Sequence, residues 1–322
     1  MWGNLHGWMI SAALAVLILA PVAWLANLSR MSAPTGIGLD PANLQIMDLP
    51  VSPDDVWPKE APGADASSRS AADLYNKVIA GWDSDAEKKC EDFVRTPGDE
   101  IPDTLQLLID AKDSPNVKMF STDMPSLINY ENEHPGLEKL FAAGEMAYKA
   151  GLSLHLHGKS AEVAPLIEAA FALGRQLWHE RLVFDEFQKG AQLMADAAVA
   201  MCQIAPHSSP LYNRLSAFQR ALNDYQTRSV IPMWQTISNV APDVIAKSAG
   251  DILVVANQSH ERMWRVEATL ALGRYQYNAG TRGDQIGAGR AVRRLASDSD
   301  PAVAAAGAAA RDLTIETYRM IH

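Results

Sequence analysis

Two pairs of acidic and imidazole side chains have spacings that could hold a metal or move a proton. Glu131 and His134 lie three residues apart, the spacing of the Glu and His ligands on one helix of a di-iron bundle. Such a site needs a second pair and two further carboxylates; the chain has only this pair, and Pro135 follows it. His179 and Glu180 lack the second His of the HExxH zinc motif. We therefore predict no metal and no cofactor, and these four side chains remain candidates for a catalytic site assembled from scattered residues.

A second histidine pair and a glycine-lysine turn also suggest ligand sites. On a helix, His155 and His157 point about 200° apart, so they cannot share an ion. His155 falls on the apolar face of its helix and is expected to be a hydrogen-bonded core residue, whereas His157 is expected in solvent. Residues 158–160 read Gly-Lys-Ser, but Ser153 replaces the first Gly of a P-loop and a helix precedes it. Nucleotide binding is not expected there.

The two cysteines, Cys90 and Cys202, are too few for a disulfide framework and show no metal-binding spacing. A single disulfide between them is the alternative if the domain lies in an oxidising compartment. The charged neighbours of Cys90 give no clear push on its reactivity, and Cys202 is expected to be buried. The sequence has no GxSxG, CxxC, CxxCH or GxGxxG motif. Those hydrolase, redox, haem and dinucleotide sites are therefore not expected.

Charge is distributed unevenly along the 322 residues, whose formal net charge is -10. Residues 40–136 contain 20 acidic side chains against 8 Lys and Arg, whereas residues 137–322 contain 18 against 19. Binding to nucleic acid needs basic surface that displaces counterions from phosphates, so the balance argues against a nucleic-acid partner. The acidic half is interpreted as a solvated region, the alternative being a cation-binding role.

The N-terminal region carries an apolar run long enough for a membrane anchor. Residues 8–28 are 21 consecutive uncharged residues, and a helix of that length spans roughly 30 Å, the thickness of a bilayer core. A cleaved signal peptide is disfavoured because residues 1–7 contain no Lys or Arg and no clean Ala-x-Ala site follows. We predict a single-pass signal-anchor within residues 1–30. The acidic flank, poor in Lys and Arg, favours a body outside the cytoplasm.

The rest of the chain is organised as a stalk and a helical body. Residues 31–70 are rich in Pro, Gly, Ser and Asp and are interpreted as a stalk. Apolar periodicity predicts a helical body over 71–257 and further helices over 258–322. The clearest predicted helices cover 137–155, 162–178, 182–204 and 211–226. The fold class expected is all-α, with the transmembrane helix followed by stacked antiparallel hairpins, either an α-solenoid or an irregular bundle.

Two stretches resemble helical repeats. The run LASDSDPAVAAAGAAARDL at 295–313 resembles a HEAT repeat, in which an Asp-Pro turn opens a second helix of small residues. Here Asp300 and Pro301 form the turn, and the HEAT-like unit extends over 262–319. Residues 137–178 are similar to a tetratricopeptide hairpin through Gly151, Gly158 and Ala170, although no second copy follows at its 34-residue period. Both resemblances imply stacked helical hairpins, and neither identifies a ligand.

One helix in the C-terminal part separates an apolar stripe from a cationic face. The predicted buried stripe consists of Ala288, Ala291, Val292 and Leu295. The opposite face carries Arg290, Arg293 and Arg294, which suit carboxylates at an interface; a solvated helix face is the alternative. The sequence thus predicts a membrane-tethered helical-repeat protein that binds a protein partner. The alternative is an extracytoplasmic helical enzyme that uses Glu131, His134, His179 and Glu180.

Overall fold

The computed structural model describes residues 51–57, 71–114, 135–159, 162–180, 184–230, 237, 252–259, 261–278 and 282–321. These residues belong to one compact unit, Leu39–His322. The predicted anchor at 8–28 and the candidate residues Glu131 and His134 lie outside the described part of the chain.

The described residues form helices and no strand, so the all-α prediction is confirmed for them. The helices are α1 (Pro53–Val56), α2 (Ala71–Gly81), α3 (Ser84–Arg95), α4 (Asp103–Ala111), α5 (Pro135–Leu156), α6 (Val163–Glu180), α7 (Phe184–Ile204), α8 (Pro210–Tyr225), α9 (252–258), α10 (Arg262–Asn278), α11 (Arg282–Leu295) and α12 (Pro301–Ile321). A short π-helical turn, Gln226–Val230, continues α8. Among these helices, none combines the length and the apolar composition needed to cross a membrane.

The centre of the body is α6, which packs against α4, α5 and α7. Most of its residues are buried, because apolar side chains occur on nearly all sides of this helix. Glycines allow the closest approach. A Cβ atom on Gly174 would stand only 2.7 Å from the carbonyl oxygen of Gly190 in α7, and one on Gly190 would stand 2.8 Å from the carbonyl oxygen of Gly174. The α6–α7 contact is therefore close enough for the two backbones to touch.

Helix α5 buries one stripe of small and apolar side chains. Its inward positions include Leu137, Leu140 and Leu154, with small alanines between them. Leu154 occupies the last inward position, and His155, one residue later, is exposed. The prediction of a core histidine at His155 is therefore wrong. A rotation of about 100° per residue is enough to move a side chain from the core face to solvent.

Helix α3 is an element that the apolar periodicity of the sequence does not predict. Its start is well defined, because the Asp83 carboxylate accepts hydrogen bonds from the backbone N–H groups of Asp85 at 3.0 Å and Ala86 at 2.9 Å. Only Cys90 and Phe93 are buried along its length. With so few apolar positions, the helical period is hidden among charged residues.

The C-terminal helices α10, α11 and α12 pack against one another. Asp300 caps α12 through the Ala302 N–H group at 2.9 Å, and Pro301 is the first helical residue, as the Asp-Pro turn predicts. Two ion pairs join this turn to α10: Arg262 contacts Asp300 at 2.8 Å, and Arg265 contacts Asp298 at 2.6 Å. The turn between α11 and α12 is thus fixed by caps and paired charges.

Part of the predicted stalk packs on the body. Within residues 51–57, Val56 and Trp57 are buried. The centroid of the Trp57 ring lies 5.4 Å from that of the Phe171 ring in α6. Arg214 in α8 donates a hydrogen bond to the Val56 carbonyl at 3.1 Å. Composition alone places this segment in a linker, but its two apolar side chains gain enough burial to dock on α6 and α8.

Candidate functional site

The cationic helix face predicted from the sequence is present on α11. Its apolar stripe is buried, with Val292 only 1% exposed, while Arg290, Arg293 and Arg294 are exposed. Arg294 donates a hydrogen bond to Asn257 in α9. The side chains of Arg290 and Arg293 have neither an ion pair nor a hydrogen bond to any other described residue, unlike the paired arginines of α10. The guanidinium groups of Arg290 and Arg293 can therefore donate hydrogen bonds to an acceptor on another molecule.

An apolar side chain extends this surface. Ile286 is 47% exposed and precedes Arg290 by four residues, so the two lie on the same side of α11. We call Ile286, Arg290, Arg293 and Arg294 the arginine face. It combines one exposed apolar side chain with cationic groups that can bind carboxylates in a bidentate manner.

A groove of about 960 Å³ opens between α2, α3 and α4. We call it the acidic groove, since its lining includes the carboxylates of Asp83, Asp85, Asp92, Glu100 and Asp103. Three cations also line it: Lys77, Lys89 and Arg95. Its apolar part is formed by Phe93, Ile101 and Leu107. The groove has the size of a ligand site, and carboxylates outnumber cations along its walls.

The carboxylates around this groove differ in their hydrogen-bond and ion-pair partners. The Ala86 N–H group is the main cause that holds the pKa of Asp83 below its ordinary value, so this residue serves the helix cap. Arg95 lies 3.7 Å from Asp92 at the surface. Asp85, Glu100 and Asp103 form no ion pair within the described residues. The sequence signal for this groove is the eight acidic residues between positions 83 and 103, but α3 has to be known before they can be placed together.

His179 and Glu180, two of the four candidate catalytic residues, lie at the C-terminal end of α6. The His179 Nε2 atom is 3.0 Å from one Asp54 carboxylate oxygen, and the Arg175 Nε atom is 3.7 Å from the other. Asp54 belongs to α1, so this contact ties the docked segment 51–57 to α6. This contact gives His179 a structural role, although half of its side chain is exposed, and Glu180 beside it is half-buried.

The other motifs also acquire structural roles. Lys159 donates to the carbonyls of Pro97 at 3.1 Å and Gly98 at 2.8 Å, and to the Asp99 carboxylate at 2.8 Å. The lysine of the Gly-Lys-Ser sequence thus binds the loop between α3 and α4 through these hydrogen bonds. Gly158 before it has a φ of 73°, which suits glycine at the end of α5. In the described ranges, no group of three His, Cys, Asp or Glu side chains could hold a metal.

Helices α5 and α7 bring together a polar cluster that the sequence does not reveal. Burial first, and the Glu145 carboxylate second, raise the pKa of Asp196 to about 6, although Lys149 and a hydrogen bond from Gln192 act in the opposite direction. Burial also raises the pKa of Tyr148 beside it. Asp196 can therefore exchange a proton near neutral pH.

Both cysteines are free thiols in the structure. Burial, with a smaller contribution from Glu87, raises the pKa of Cys90 to about 11, so the thiol stays protonated at neutral pH. The Cys202 Sγ atom lies 3.8 Å from the Ser216 hydroxyl of α8 and is only partly buried.

No protein-family model matches the chain, and no curated protein or solved structure matches it either. Its function is therefore inferred from the arginine face, the acidic groove and the fold that carries them.

Proposed function

We propose that the protein is a membrane-tethered helical-repeat scaffold that binds an acidic protein partner through the arginine face. The observation that carries this proposal is the pair of exposed guanidinium groups on Arg290 and Arg293 that have no partner among the described residues. They project from a helix whose opposite side is buried, so the backbone that carries them is held in place before binding. An arginine on a packed helix adds no cost of ordering the backbone on binding, whereas an arginine on a mobile loop does.

The repeat architecture is supported by the packing of α10, α11 and α12. Each of these helices contacts the other two, and the Asp300-Pro301 turn opens α12 as a HEAT-like unit requires. The pair α5 and α6, which is similar to a tetratricopeptide hairpin, also packs closely. Stacked hairpins of this kind present broad surfaces for protein ligands.

The tether is supported by the uncharged run at residues 8–28. Replacing Leu17 with Asp at the middle of that run is expected to cost about 3 kcal/mol of insertion free energy. A chain that begins at residue 51 keeps the docked segment and should remain in the soluble fraction after an alkaline wash, whereas the full chain should sediment with membranes. Sedimentation of the shortened chain would contradict the tether.

The partner is tested by changing Arg290, Arg293 and Arg294 together to Gln. Cross-linking in membranes followed by mass spectrometry should show the loss of a partner with an acidic surface, most clearly at low salt. The free energy of unfolding should change by less than about 1 kcal/mol, because the three side chains are exposed.

A matched control removes the same charge elsewhere. Lys88, Arg220 and Arg228 are exposed, and their joint replacement by Gln should leave the cross-linked partner in place. Unchanged recovery with the arginine-face variant would contradict the proposal. Marked destabilisation of that variant would show that these side chains support the fold instead of a partner.

A further inference from the structure

We propose that the partner of the arginine face is a second copy of this chain, whose acidic groove receives α11. This inference rests on the proposed function, in which the arginine face is a docking surface, and it names the occupant. The two surfaces belong to one polypeptide, so every molecule carries both halves of the contact.

The two surfaces match in charge. Between positions 83 and 103 the chain has eight acidic residues and three basic ones. Glu100 and Asp103 on the groove wall are exposed and form no ion pair with described residues. Arg290 and Arg293 on α11 are likewise exposed and unpaired within the described part of the chain. Pairing the two sets satisfies both, and guanidinium forks suit carboxylates in two parallel hydrogen bonds.

They also match in apolar character. Ile286 stands 47% exposed beside the arginines of α11. The groove includes the side chains of Phe93, Ile101 and Leu107. A helix laid into a groove typically buries an apolar anchor on the floor while its charged residues meet the walls. Ile286 is the anchor that such an arrangement requires.

The positions of the two surfaces favour contact between copies. Helices α2, α3 and α4 pack against α5 and α6, whereas α11 packs against α10 and α12. The surfaces therefore belong to different parts of the helix stack. When the arginine face of one copy docks in the acidic groove of a second copy, the groove of the first copy stays free. Such a contact is heterologous, and repetition gives a ring or a row of molecules.

The test uses the full chain in detergent, with its mass measured by light scattering at low and high salt. The wild type should self-associate, and salt should weaken the association. Reversing the arginine face with Arg290→Glu and Arg293→Glu should weaken self-association by about ten-fold or more. Reversing the groove with Asp92→Lys and Glu100→Lys should do the same. Neither Asp92 nor Glu100 stands in the first turn of a helix, so their reversal spares the helix dipoles.

Combining the variants gives the sharpest result. A mixture of the arginine-face variant and the groove variant should associate again, because the intact groove of the first meets the intact arginine face of the second. A chain that carries all four changes should also associate, since the charges of both surfaces are then reversed. The control Arg220→Glu with Arg228→Glu should associate like the wild type. Circular dichroism shows whether each variant is folded, and Gln at the same positions replaces any that is not.

Two results would overturn the inference. One is a wild-type chain that stays monomeric while the arginine face still captures a different acidic protein, which leaves the proposed function standing. The other is self-association that neither reversal changes. If the arginine-face variant loses neither self-association nor any cross-linked partner, the proposed function fails as well.

Discussion

Replacing Gly174 with Ala should destabilise the body, although alanine is the better helix former. The added methyl carbon would stand 2.7 Å from the Gly190 carbonyl oxygen and 2.9 Å from the Met194 backbone nitrogen. Both atoms belong to the backbone of α7 and cannot rotate away. Ordinary contact begins at 3.4 Å, so α6 and α7 must separate by several tenths of an ångström.

The magnitude follows from two opposing effects. Alanine in a helix interior gains about 1 kcal/mol over glycine. Forcing a methyl group into a filled interface costs about 1–3 kcal/mol, and a gap of half an ångström or more also removes a quarter or more of the dispersion attraction along the contact. Because α6 and α7 share an extensive contact, the second effect prevails. The net loss should be about 2 kcal/mol, which lowers the melting temperature by roughly 4–8 °C.

Urea unfolding of the chain that begins at residue 51, followed by tryptophan fluorescence, measures this loss. Gly287→Ala is the matched control, because nothing lies within 4 Å of its added methyl in α11. That variant should gain about 0.5–1 kcal/mol. Gly190→Ala combined with Gly174→Ala should cost less than the sum, since both methyl groups open the same gap. Equal effects at Gly174 and Gly287 would refute the close packing.

Three further perturbations have clear expected outcomes. Because the pKa of Asp196 rises to about 6 on folding, its ionisation destabilises the folded state as the pH increases from about 4 to 6. Asp196→Asn should therefore be more stable than the wild type above pH 6, by about 1–3 kcal/mol in urea titrations, and this advantage should vanish near pH 4. Ellman's reagent should label Cys202 in the native protein but Cys90 only after unfolding, so a Cys202→Ser chain that reacts when folded would contradict the burial. Gln176→Leu should cost about 1–3 kcal/mol, because the Tyr75 hydroxyl loses its buried acceptor; a neutral effect on chemical unfolding would argue against that hydrogen bond.

Elements with dense apolar periodicity were the ones that the sequence could predict. The helix expected at 182–204 is α7, Phe184–Ile204, and the one expected at 211–226 is α8, Pro210–Tyr225. In α11 the stripe through Ala288 and Leu295 is buried, and Arg290 is exposed, because one clear amphipathic pattern decides both faces.

Features that depend on few apolar residues or on distant contacts could not be predicted in this way. Helix α3 buries only Cys90 and Phe93, so its period is lost among charges. The acidic groove forms where α2, α3 and α4 meet, and no local sequence pattern predicts that these three helices come together. The sequence makes His179 a catalytic candidate through its neighbour Glu180 alone, whereas its contact with Asp54 joins positions far apart in the chain, which no local motif predicts. Docking of the segment 51–57 is likewise a tertiary effect, since its composition is that of a linker.

That docking determines where mechanical load would enter the body. In a chain tethered through residues 8–28, α1 is the first described element that a pull from the membrane would reach. The load is then borne by Trp57 on α6, by the Arg214 hydrogen bond and by the Asp54 contacts, before it can act on α2. A pull that breaks these contacts releases residues 51–57, which lengthens the tether by at most about 25 Å. In a tethered chain, the segment 51–57 would therefore be the first described part of the body to receive the load.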